Sequence, residues 1–96
     1  MNPGMMKKLK KMQEEIQIAQ ERIEGTEFVG KASGVEVIVQ GTRQLIEVKI
    51  DPEMVDDLEL VQDAIVIAVN DALAQIEKKQ EEDLGQFTGG LGGFGF

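Results

Sequence analysis

Ninety-six residues set the scale of one domain, and with four Phe as the only aromatics its core must be aliphatic. The absence of Cys and His excludes thiol nucleophiles, disulfides, Cys/His zinc sites and imidazole acid–base chemistry. The net charge of −8 is unevenly spread: residues 1–24 carry five basic and four acidic side chains, and residues 51–84 carry eleven acids against two Lys.

The first predicted element is a helix over residues 3–24, with Asn2 as N-cap, Pro3 in the first turn and Gly25 just past the end. Met5, Leu9, Met12, Ile16, Ala19 and Ile23 repeat at steps of four and three, the spacing of a coiled-coil seam. Such a narrow stripe predicts packing through one face with the rest in water. Four Lys and no acid fall in residues 1–13. Lys10–Glu14 and Lys11–Glu15 have ion-pair spacing along a helix, whereas Lys7 and Lys8 have no such partner.

Three strands follow, at about 26–32, 35–40 and 44–51. Val35, Val37 and Val39 alternate with Glu36, Ile38 and Gln40, and Ile46, Val48 and Ile50 with Glu47 and Lys49. Ser33-Gly34 and Gly41-Thr42-Arg43 are turn signals, and connections this short predict an antiparallel meander in the order 1-2-3. Asp51-Pro52 opens a short helix at 52–56. Asp56 and Glu59 have capping-box spacing for a long helix over 57–84. Within it, residues 64–69 are apolar on every side, so they need cover from the sheet and from something else, for which a second copy is the natural candidate. Asn70 beside them is expected to be a buried polar group that fixes helix register or dimer geometry. Residues 85–96, half of them Gly, are expected to form a flexible tail. The fold class is α+β, a two-layer α-β-β-β-α arrangement with long flanking helices.

No residue constellation points to an enzyme, and no cofactor, metal or small-molecule substrate is expected. The acids between Asp51 and Asp63 lack the spacing of a calcium loop and read as helix-start acids. No apolar run is long enough to span a bilayer, and the first residues lack the apolar middle of a secretion signal, so the expected location is cytoplasmic with no membrane contact.

Met5-Met6-Lys7-Lys8-Leu9 to Met12-Gln13-Glu14-Glu15, Val35-Glu36-Val37-Ile38-Val39-Gln40-Gly41, Val48-Lys49-Ile50-Asp51-Pro52 and Val69-Asn70-Asp71-Ala72, in this order and spacing, cover roughly residues 4–83. In this combination the chain resembles the YbaB/EbfC family of nucleoid-associated proteins. The resemblance implies an intertwined, tweezer-like homodimer whose sheets and last helices form the body, with helical arms projecting from it. It also implies duplex DNA as a partner, a nucleoid location, and a role in nucleoid organisation or gene regulation. The DNA-contacting candidates are Lys7, Lys8, Lys10, Lys11 and Arg22, binding largely without regard to sequence, because no base-reading motif is present. The dimer-interface candidates are Ile65, Val66, Ala68, Val69, Ala72, Val37 and Val39. The alternative is an acidic homodimeric protein-interaction module whose partners are replication or repair proteins and which does not bind DNA directly.

Overall fold

The structure is a computed structural model, and it describes residues 2–88. The element order is α1 (Pro3–Glu24), β1 (Glu27–Ala32), β2 (Val35–Gln40), β3 (Leu45–Ile50), a 3-10 turn (Pro52–Met54) and α2 (Leu58–Thr88). The strands form one antiparallel sheet in the order β1-β2-β3, as the sequence predicts. Gly30 pairs with Val37, and Val37 in turn with Val48.

Alternation puts Phe28 and Gly30 of β1 and Val35, Val37 and Val39 of β2 on one face. That face packs on Ala64, Ala68, Ala72 and Ile76 of α2, and Ile23 of α1 completes the core. The alanine stripe lets the helix approach closely. At Gly30 even a Cβ atom would overlap the backbone oxygen of Ala68. Helix α2 lies over β1 and β2 and only skirts β3, every residue of which is exposed.

Two tight turns hold the meander. Ser33 and Gly34 both have positive φ, at 41° and 82°, the geometry of a two-residue hairpin whose twist matches that of its strands. At the other end a Cβ on Gly41 would overlap the Ile23 carbonyl. Gln40 Nε2 donates to Glu24 O at 3.0 Å, and Thr26 Oγ1 to Arg22 O at 2.7 Å. These contacts join the C-terminus of α1 to the sheet. A bulge interrupts the β2–β3 ladder at Ile46, because Ile38 pairs with Glu47 but Val39 with Leu45.

Three local expectations are corrected. The cap of α2 is Asp57, whose Oδ1 accepts the Leu60 N–H at 3.2 Å, rather than Asp56 with Glu59. The helix does not stop at 84 but continues through Gly85 to Thr88, so 85–88 are not part of a tail. Glycine in a helix costs about 1 kcal/mol, and here the half-buried Leu84 and Phe87 face α1 across shallow cavities on either side of it. The rest of the expected tail, 89–96, lies outside the described residues. Asn70 is exposed and is not a buried register-setting group.

Candidate nucleic-acid interface

The chain's cationic feature is built on a helix that is anchored at one end only. Helix α1 starts at Asn2, whose Oδ1 accepts the Met5 N–H at 2.7 Å, with Pro3 supplying the preset φ of the first turn. Its seam changes character along its length. Ile23 is 1% exposed, Ile16 and Ala19 are half-buried, and Met12, Leu9 and Met5 are 42%, 44% and 53% exposed. The cause is the second helix. The last turns of α2 run back along α1, and Phe87 lies beside Ile16 and Ala19. Every residue from 3 to 15 is exposed, and up to residue 14 this stretch stands clear of the sheet and of α2.

Lys7, Lys8, Lys10 and Lys11 all sit on that free stretch, and all are exposed. Successive residues turn by about 100°, so Lys7 and Lys11 share the side opposite the seam and Lys8 and Lys10 flank them, a fan of about 160°. None of the four lies within 4.0 Å of a carboxylate. The i,i+4 partners Glu14 and Glu15 are not engaged, and the ion pair among the described residues is Lys79 Nζ–Asp83 Oδ1 at 3.2 Å. Lysines in the first turns oppose the helix dipole at a cost of a few tenths of a kcal/mol each, with no carboxylate here to compensate.

Arg22 does not join this cluster. It lies about 22 Å from Lys7 along the axis, in a concavity with Glu15, Glu82 and Asp83. Neighbouring carboxylates occupy the field that a phosphate would need, which makes Arg22 the weakest of the five candidates. The same concavity reveals something that residue order concealed: Glu82 and Asp83 flank the middle of α1, well away from the acids at the start of α2. With Glu14, Glu15 and Glu21 they form an acidic collar behind the lysine tip. From Glu14, the nearest acid of the collar, Lys11 is about 4–5 Å and Lys7 about 10 Å along the axis. The screening length is about 8–10 Å at physiological salt. Lys7 and Lys8 are therefore better insulated than Lys10 and Lys11. Asp51 to Glu59 lie at the far end of the sheet, roughly 40 Å from Lys7 by helix and strand rise.

The candidate interface residues divide in two. Val37, Val39, Ala68 and Ala72 are used up in the core of a single protomer. Gln75 Nε2 donates to Val29 O at 2.8 Å on the free edge of β1, so the opposite flank of α2, with Ile65 and Val69, faces β3. These two are half-buried, and Val66 beside them is 59% exposed. Leu45, Ile46, Val48 and Ile50 of β3 extend the same apolar surface. The signal for β3 was present in its alternation, but strand periodicity alone does not say which strand a helix leaves uncovered.

The comparisons with known proteins agree with the fold. A crystal structure of an uncharacterized protein from Helicobacter pylori superposes with a TM-score of 0.75 at 22% identity, covering 91% of this chain and 97% of that one. A nucleoid-associated protein of Lactococcus lactis is 47% identical over 92 residues, covering 92% of this chain and 93% of the relative. One from Enterococcus faecalis is 42% identical over 95 residues, covering 95% and 91%. The family model for the YbaB/EbfC DNA-binding family matches residues 1–91, and the chain belongs to that family.

Proposed function

We propose that this chain binds duplex DNA as a homodimer, largely independently of sequence, and acts on the nucleoid as an organising or regulatory protein. The observation that carries the reading is the lysine tip of α1: four exposed cations, none in an ion pair, on an acid-free stretch of exposed helix. Two tips offer eight Lys. If every one met a phosphate, log K against log salt would fall with a slope of about −7, so fewer contacts give weak, salt-sensitive binding.

The second copy is supported by unpartnered apolar surface. Among the described residues, Ile46, Val48 and Ile50 on β3 and Val66 on α2 are exposed, and Ile65 and Val69 beside them are only half-buried. The exposed area of 7150 Å² exceeds the roughly 5,500 Å² expected of a compact monomer of this mass. A two-fold axis running along the arms would close this apolar side and keep both lysine tips at the same end.

The test is a gel shift on duplex DNA at 20–50 mM salt alongside a mass measurement in solution. Binding by a dimer, strongly weakened by Lys7→Glu with Lys8→Glu at unchanged mass and melting temperature, supports the reading. A shift that survives this double substitution removes the assignment of the site. A dimer that ignores DNA but captures a replication or repair protein favours a protein-interaction module instead.

A further inference from the structure

We propose that the tip of α1 lies in the major groove of the duplex, along the groove as far as Glu14, rather than on one phosphate ridge. This rests on the reading that the tip contacts DNA, and adds to it the groove and the length of α1 that occupies it. Three observations carry it. First, residues 3–13 hold no acid on any side, whereas from residue 14 onward the helix carries Glu14, Glu15, Glu21 and Glu24. A helix that touched DNA through one face would tolerate acids on the others, as α1 does past residue 13. The acid-free stretch instead clears every side over about 16 Å of helix.

Second, the four lysines spread over nearly half the circumference of the helix rather than along a single line. Lys8 and Lys10 project to opposite flanks, with Lys7 and Lys11 between them. Phosphates on both walls of a groove meet such a fan, and a single ridge meets only half of it. Third, the size fits. Residues 3–14 stand alone as a single exposed helix, and a helix about 10–12 Å across fits a major groove about 12 Å wide but not a minor groove of about 6 Å. Behind the tip, Phe87 brings α2 alongside Ile16 and Ala19, so the arm doubles in width where the acidic collar begins. Steric bulk and charge set the same limit to insertion.

The test uses the full chain and three forms of one duplex: unmodified, with the major groove blocked by glucosylated hydroxymethylcytosine, and with the minor groove saturated with netropsin. The expected result is a loss of about tenfold or more on the glucosylated duplex and less than about twofold with netropsin. In parallel, Lys8→Gln and Lys10→Gln should each lower the salt slope by about one per arm, as Lys7→Gln does. Equal binding to all three duplexes, or a loss only with netropsin, overturns the insertion while leaving DNA binding intact. A slope that responds to Lys7 and Lys11 but not to Lys8 and Lys10 also overturns it, in favour of contact through one face. Failure to bind the unmodified duplex at low salt removes the underlying reading itself.

Discussion

The two ends of α1 share one seam and meet opposite fates. At the root, Ile23 is enclosed by the core, and Gly41 lies so close that a side chain there would overlap the Ile23 carbonyl. At the tip, Met5 and Leu9 hold the same seam positions in the open. The root gains its order from tertiary packing. The tip has only its cap, its helix propensity and its attachment to the root. Stability and charge are thereby separated along one helix: what anchors the arm is apolar and distant, and what gives it a charge is exposed and carries no folding role.

The comparison breaks most readily at the root. Ile23→Ala should cost about 3–4 kcal/mol through lost burial and the cavity left behind, a fall in melting temperature of roughly 15–25 °C by circular dichroism. Leu9→Ala, the same kind of change at the tip, should cost less than about 1 kcal/mol. Equal effects would mean the tip is packed in solution. Next, Gly30→Ala should cost about 2–3 kcal/mol, because the new methyl meets the Ala68 carbonyl. A smaller effect belongs to the cap. Asn2→Ala should cost about 1 kcal/mol, appearing as faster hydrogen exchange at Met5 and Met6 with little change in the global melt. The smallest change in stability, within about 0.5 kcal/mol, should come from Lys7→Gln with Lys8→Gln, although DNA affinity falls. A large stability loss there would contradict the division of labour along α1.

Much of this was legible in the residues. Asn2-Pro3 and Gly25 bound α1, the valine alternation of β2 gives a half-buried strand, and Ser33-Gly34 dictates a two-residue turn, because each of these signals is local. The lysine cluster was legible for the same reason: on a helix, neighbours in sequence are neighbours in space. What was not legible depends on distant parts of the chain. Val37, Val39, Ala68 and Ala72 were expected at a subunit interface, but an apolar helix face does not reveal which side its own sheet takes. Gly85 reads as a stop unless one knows that Leu84 and Phe87 face α1. Arg22 reads as one more cation until Glu82 and Asp83 arrive from the other end of the sequence. The choice of Asp57 over Asp56 as cap turns on one residue of register, which composition does not resolve.

The central claim is that the lysine tip acts independently of the net negative charge of the chain. It is tested most directly by salt titrations of DNA binding on three variants beside the parent: Lys7→Gln with Lys8→Gln at the tip, Glu82→Gln at the collar, and Asp56→Asn with Glu59→Gln beyond the sheet. The account predicts that the tip pair reduces the slope by up to about four for a dimer. It predicts that the collar change modestly strengthens binding at low salt, and that the distant pair changes nothing at physiological salt, being many screening lengths away. A slope that ignores the tip, or an affinity that rises as much with the distant pair as with the collar, would contradict it.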